Sequence, residues 1–124
     1  MKRILIVDDD DDVRATIRDA LAEQYEVIEA ANGADGIAQF DARSPDLVIC
    51  DVIMPDIDGL EAVRYICGHS PHTPVILVSG GGRINAADYL RIGAAFGARK
   101  CLAKPMEIRE LREAVSVLLG AESK

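Results

Sequence analysis

Short apolar segments alternate along the chain with longer segments of helical spacing, and the alternation repeats five times. The apolar segments have the length of strands and are too short for helices. We predict strands at residues 4–7, 26–30, 47–50, 75–78 and 100–103. Strands that alternate with helices form a parallel sheet with right-handed crossovers, which carry the helices onto both of its faces. The pattern therefore predicts an α/β fold.

The segments between the predicted strands carry apolar residues at intervals of three and four, which places each set on one face of a helix. Clear sets begin at Val13, Leu60 and Ile108, and helices at 32–42 and 85–96 have fewer large apolar anchors. The first, third and fourth strands are apolar throughout, as expected when both faces of a strand are covered. The second strand contains Glu26 and Glu29, so we expect it at the edge of the sheet.

Length and charge limit what the chain can be. With 124 residues, residues 1–124 are expected to form a single domain with no output domain attached. The net charge of -7 argues against a general nucleic-acid binder, which would carry a basic patch. No apolar run approaches the ~18 residues of a membrane span. The basic start runs into acids instead of a cleavage region, so we expect a cytoplasmic protein with reduced cysteines.

Carboxylates follow two of the predicted strands. Asp8 and Asp9 come directly after the first strand, and Asp51 ends the third. Neighbouring parallel strands present their carboxyl ends to one crevice, the usual ligand site of such sheets. Three acids in one crevice repel each other unless a cation lies between them, and Mg²⁺ suits carboxylate oxygens. Two simpler interpretations stay open: the acidic run 8–12 is a solvated loop, or Asp8 or Asp9 only caps the next helix.

Two further polar residues follow strands at the same predicted edge of the sheet. Ser79 comes after the fourth strand and Lys104 after the fifth. Phosphoryl transfer to a carboxylate would use all of these groups, because an aspartate can act as the nucleophile and form an aspartyl phosphate. A hydroxyl and an ammonium group would stabilise the equatorial phosphoryl oxygens. The set predicts Asp51 as the phosphoacceptor, with Ser79 and Lys104 beside it.

Four motifs occur in an order that resembles a known family. They are IVDDD at 6–10, DVIMP at 51–55 followed by DG at 58–59, VSG at 78–80 and LAKP at 102–105. The chain resembles the receiver domain of two-component response regulators over essentially its whole length, and it is similar to stand-alone chemotaxis regulators. The resemblance implies a flavodoxin-like, doubly wound (βα)5 fold, in which a five-stranded parallel sheet has the strand order 2-1-3-4-5.

The resemblance also implies a role for each site residue. Asp51 would accept a phosphoryl group from a phosphohistidine of a sensor histidine kinase or phosphotransfer protein. Mg²⁺, or alternatively Mn²⁺, would be bound by Asp9 directly, by Asp8 mainly through water, by Asp51 and by the backbone carbonyl of Ile53. The metal is thus the one cofactor expected.

The resemblance also implies that Ser79 bonds a phosphoryl oxygen. Lys104 would form an ion pair with that group, and a cis peptide bond would join Lys104 to Pro105. Cys101 departs from the family pattern, because it stands where a Tyr or Phe usually couples phosphorylation to the output surface.

The implied function is that of a signalling switch that catalyses only its own phosphorylation and dephosphorylation. Its expected partners are the kinase or phosphotransfer protein and an unidentified downstream protein, with neither nucleic acid nor membrane involved, in a monomer or weak dimer. One alternative is a phosphate shuttle or sink in a phosphorelay. A more remote alternative is a magnesium-dependent phosphatase of the haloacid dehalogenase type, which needs an acid where this chain has Ile53. A flavodoxin-like redox module ranks last, because residues 8–12 would repel a cofactor phosphate.

Overall fold

Five parallel strands form one sheet in the order β2-β1-β3-β4-β5. The computed structural model describes residues 1–51, 59–79, 97–103 and 107–120, with the backbone alone at residues 59, 60 and 79. The strands are β1 (Arg3–Val7), β2 (Glu26–Ala30), β3 (Leu47–Asp51), β4 (Val75–Ser79) and β5 (Lys100–Ala103). The described helices are α1 (Asp11–Leu21), α2 (Gly33–Arg43), α3 (Gly59–His69) and α4 (Ile108–Gly120).

Apolar side chains cover both faces of the sheet, because successive residues of a strand point to opposite sides. In β1, Leu5 and Val7 pack with α2 and α3 in one core cluster. Ile4 and Ile6 belong to a second cluster, which contains the apolar faces of α1 and α4. Two helical layers therefore enclose the sheet, and this explains why β1, β3 and β4 are apolar throughout.

The predicted fold class and strand order are confirmed. All five predicted strands are present, and β2 lies at the edge of the sheet, as its two glutamates indicate. The helix predicted at 85–96 lies outside the described residues. In the ranges that the structure describes, no helix is long and apolar enough to cross a membrane.

Helix α2 packs closely against β1 where the chain has a glycine. A Cβ atom added at Gly36 would lie 2.9 Å from Cγ2 of Val7 and 3.0 Å from Cγ1, closer than carbon atoms normally approach. The helix begins after Asn32, whose side-chain oxygen accepts a hydrogen bond from the Asp35 amide at 2.8 Å. Because of this cap and the missing side chain at Gly36, α2 packs directly on the sheet. The helix therefore covers Val7, at the end of β1 next to the acidic residues.

Candidate metal centre

The pairing of β1 with β3 brings the acidic residues together. Val7 pairs with Cys50, so the next residues of the two strands are Asp8 and Asp51. Asp9 follows immediately in the turn that leads to α1. One carboxylate oxygen from each of Asp8, Asp9 and Asp51 lies within 4.8 Å of the others. We call these three residues the acidic cluster.

The acidic cluster has two buried members and one exposed member. Asp8 is 2% exposed and Asp51 4% exposed, whereas Asp9 is exposed to solvent. Burying a carboxylate is costly unless a charge or hydrogen bonds compensate for the lost hydration, and neighbouring carboxylates repel each other. Oxygen-only donors at this spacing, with one side open to water, suit Mg²⁺, which binds through one or two carboxylates and keeps several waters. The residues present therefore fit a hard divalent cation.

Asp8 is held in place by three hydrogen bonds from different parts of the chain. Its N–H donates to the carbonyl of Ala30 at 3.1 Å, which ties it to the end of β2. Its Oδ1 accepts from the Asp10 amide at 2.9 Å, and its carbonyl accepts from a guanidinium nitrogen of Arg14 at 2.6 Å. The backbone and the carboxylate of Asp8 are thus oriented together.

The N-cap of α1 is Asp10 rather than Asp8 or Asp9. Its carboxylate accepts hydrogen bonds from the amides of Asp12 at 2.9 Å and Val13 at 3.3 Å. An N-cap satisfies amides that the first turn of a helix leaves without intrahelical partners. Because Asp10 fills this role, the capping interpretation of Asp8 and Asp9 is wrong for this structure, and their carboxylates turn toward Asp51 instead.

Arg14, which was not predicted from the sequence as a site residue, extends the site toward the edge strand β2. In addition to the Asp8 carbonyl, Arg14 bonds Glu29 of β2, with Nε 3.3 Å from Oε1, and the carboxylate of Asp11. Glu29 also pairs with Arg18, whose Nη1 lies 3.1 Å from Oε2, and the hydrogen bond to Glu29 raises the pKa of Arg18. The sequence signal for the contact between Arg14 and β2 is Glu29, an acidic residue within a strand, together with the two arginines of α1.

The other predicted site residues are only partly covered by the structure. Ser79 is the last residue of β4 and pairs with Ala103, the last residue of β5. In the pairing of β3 with β4, Asp51 lies opposite Val78, the residue before Ser79. The backbone of Ser79 therefore lies at the same end of the sheet as Asp51, where the carboxyl ends of the strands meet. Its side chain, Ile53 and Lys104 lie outside the described residues, as does the predicted cis bond to Pro105.

Comparison with known proteins gives one consistent family. A family model described as the response regulator receiver domain matches residues 4–116. The chain is 34% identical to the chemotaxis protein CheY of Bacillus subtilis over 121 residues, which cover 95% of this chain and 98% of that protein. It is similar to a solved CheY-like response regulator receiver domain protein of Methanospirillum hungatei, with a TM-score of 0.89 and 29% identity, over 99% of this chain and 97% of the other.

A second kind of relative is much longer than this chain. The regulatory protein AtoC of Escherichia coli is 36% identical over 125 residues, which cover 99% of this chain and 26% of AtoC. The chain therefore spans about a quarter of that relative. The same sequence pattern thus occurs both in proteins of this length and as one part of a larger regulator.

Proposed function

The chain belongs to the response regulator receiver domain family, and from this premise we propose that it is a phosphorylation-controlled switch with Asp51 as the phosphoacceptor. The observation that carries the proposal is the acidic cluster, in which the nearly buried Asp51 lies within 4.8 Å of two further carboxylates. Two neighbouring carboxylates would only repel a buried aspartate that has no further role. For a phosphoacceptor that works with a divalent cation, the same carboxylates are ligands of the cation.

In the proposed reaction, a carboxylate oxygen of Asp51 attacks the phosphorus of a phosphohistidine on a histidine kinase or phosphotransfer protein. The P–O bond forms as the P–N bond breaks, and the electron pair of the P–N bond stays on the departing imidazole. Mg²⁺, when bound, supplies positive charge that offsets the carboxylates and the phosphoryl oxygens. Asp8 and Asp9 hold the cation, and the fixed orientation of Asp8 keeps its carboxylate available for this role.

The remaining roles follow the family motif. The carbonyl of Ile53 would complete the cation site, while the Ser79 hydroxyl and the Lys104 ammonium group would contact the phosphoryl oxygens. The backbone position of Ser79, at the same sheet edge as Asp51, supports this assignment. The cation assignment is supported by the all-oxygen donor set, which suits Mg²⁺ or Mn²⁺ better than softer metals.

For the output, we propose a single-domain regulator of the cytoplasm that docks on a separate protein target and acts on no other substrate. Relatives named CheY, which match this chain over nearly their full length, support this form. A phosphate shuttle or sink in a phosphorelay is the alternative. Phosphoryl transfer from the chain to a second phosphotransfer protein would favour the relay role, and phosphorylation-dependent binding to a protein without a phosphoacceptor histidine would favour the regulator.

The central test is the intact mass of the protein after incubation with Mg²⁺ and a small acyl phosphate. Wild-type protein should gain the mass of one phosphoryl group, and the gain should disappear when EDTA replaces Mg²⁺. Asp51→Asn should gain nothing. Asp19→Asn is the matched control, since it removes one carboxylate from the exposed side of α1, and it should behave like wild type. An equal gain on Asp51→Asn would refute the assignment.

A further inference from the structure

Arg14 links the acidic cluster to β2, the edge strand of the sheet. Its side chain is only 14% exposed, although it begins in the first turns of α1. One guanidinium nitrogen donates to the Asp8 carbonyl at 2.6 Å, and Nε donates to Glu29 of β2 at 3.3 Å. The planar guanidinium group can hold two such acceptors at once, which a single ammonium group cannot do in the same geometry.

The carbonyl that Arg14 binds belongs to the peptide group between Asp8 and Asp9. Because a peptide group is planar, fixing the direction of this carbonyl also fixes the plane from which both residues extend. The Asp8 N–H is bound to Ala30 at the end of β2. Asp8 is therefore connected to β2 on both sides: the peptide group before it is bound to Ala30, and the peptide group between Asp8 and Asp9 is linked to β2 through Arg14 and Glu29.

We infer that Arg14 is a positioning residue for cation binding by Asp8 and Asp9, and that it acts through the peptide group between them. This inference rests on the proposed function, in which the acidic cluster binds Mg²⁺. Arg14 itself bonds the carbonyl of Asp8, not its carboxylate. Its contribution is the orientation of the carboxylates before the cation arrives, which reduces the reorganisation that binding requires.

Charge and orientation predict opposite effects of removing Arg14. A guanidinium group near three carboxylates lowers the local negative potential, so on charge alone its loss would tighten cation binding. Loss of orientation would weaken binding instead. Arg14→Lys separates the two effects further, because it keeps the charge but loses the planar pair of donors. Charge alone then predicts no change, whereas positioning again predicts weaker binding.

The experiment measures Mn²⁺ binding to the full chain, without a phosphoryl donor, by electron paramagnetic resonance of the free ion. We expect Arg14→Lys and Arg14→Gln to weaken binding by about tenfold, which is typical for residues that orient metal ligands. Arg18→Gln is the matched control, because Arg18 pairs with the same Glu29 at 3.1 Å and its loss changes the charge equally. It should leave the Mn²⁺ affinity unchanged.

A second measurement reports on the peptide itself. The ¹H–¹⁵N signal of the Asp9 amide, which belongs to the peptide group that Arg14 binds, should shift in Arg14→Lys and stay unchanged in Arg18→Gln, with EDTA present throughout. Thermal unfolding in EDTA shows whether each variant is folded. Arg14→Met, whose unbranched chain keeps much of the packing of Arg14, replaces any Arg14 variant that does not fold, and it should also weaken binding.

Three results would overturn the inference. Arg14 variants that bind Mn²⁺ as tightly as wild type, or more tightly, would show that charge outweighs orientation. Equal weakening in Arg18→Gln would show that the whole network is only a scaffold. Wild-type protein that binds no Mn²⁺ would contradict the proposed function as well, and so it is distinguishable from the first two results, in which wild type binds normally.

Discussion

Asp8 and Asp51 lie side by side at the carboxyl ends of two neighbouring strands, and both are almost fully buried. The pairing of Val7 with Cys50 fixes this arrangement, since each acid is the residue that follows this pair along its chain segment. A shift of one residue in that pairing would also move every apolar side chain of β1 to the opposite face of the sheet. The core that aligns the strands therefore also aligns the acidic cluster.

Binding of a divalent cation should stabilise the folded chain through this cluster. We expect Mg²⁺ at about 100 times its dissociation constant to stabilise wild type by ~2.7 kcal/mol, because only the folded state brings the three carboxylates together. Differential scanning calorimetry in Mg²⁺ and in EDTA measures the difference. The gain should shrink strongly in Asp9→Asn and in Asp51→Asn. Asp19→Asn, on the exposed side of α1, should keep the full gain, and a loss there would point to a nonspecific charge effect.

The sequence predicts the sheet and the meeting of the acids because both depend on local pattern and simple topology. The short apolar run from Leu47 to Cys50 has the length of a strand and the composition of one covered on both faces, and the carboxyl ends of parallel strands share one crevice. Burial explains why this pattern is so clear, since a polar residue at these positions would lie in one of the two cores.

Contacts that depend on tertiary geometry could not be predicted in the same way. Five successive aspartates leave it undecided which one caps α1, and only the path of the turn assigns that role to Asp10. The bond from Arg14 to the Asp8 carbonyl depends on the rotation of α1 against β2, which the spacing of apolar residues defines too coarsely. Likewise, nothing in the sequence around Gly36 indicates that Val7 is its neighbour.

Gly36→Ala should destabilise the protein, although alanine favours helices. A Cβ atom at this position would meet the short, stiff side chain of Val7 at 2.9 Å, and Val7 is fully buried. Overpacking of this kind costs about 1–3 kcal/mol, which is at least as large as the helix gain of ~1 kcal/mol. Gly68→Ala is the matched control in α3, where no atom of the described residues outside the helix's own backbone lies within 4 Å of the added Cβ. Urea unfolding should show Gly68→Ala unchanged or stabilised, and a stabilised Gly36→Ala would contradict the close contact.

Tyr65 should titrate at higher pH than an ordinary tyrosine. Its hydroxyl donates to the Asp41 carboxylate at 2.9 Å, and this hydrogen bond is the main cause of its raised pKa. Since the folded pKa lies above the unfolded value, the bond stabilises the fold below pH ~10 and is lost as the pH rises through the folded pKa. Ultraviolet titration of wild type, Tyr65→Phe and Asp41→Asn measures this. Asp41→Asn should lower the pKa of Tyr65, and an unchanged titration would contradict the assigned cause.

Cys101 should behave as a partly buried, slowly reacting thiol rather than as an exposed one. It packs against the core cluster on the side of α2 and α3. Burial raises the pKa of Cys101, and the charge of Lys100 acts in the opposite direction. Burial also raises the pKa of Cys67, where the opposing charge is that of Arg99. Because the thiolate is the reactive form, both residues should react slowly with iodoacetamide near pH 7.5. Cys50, which is fully buried, should react most slowly.

Peptide mass spectrometry after timed alkylation measures each cysteine separately, and alkylation in guanidinium chloride gives the unfolded reference for the same three sites. Cys101→Ser identifies the peptide of that residue and should leave the rates at the other two cysteines unchanged. Because the folded pKa is raised, the difference between folded and unfolded rates should persist until the pH reaches the folded pKa. Folded and unfolded rates that agree at Cys101 would show that its thiol is not protected by burial.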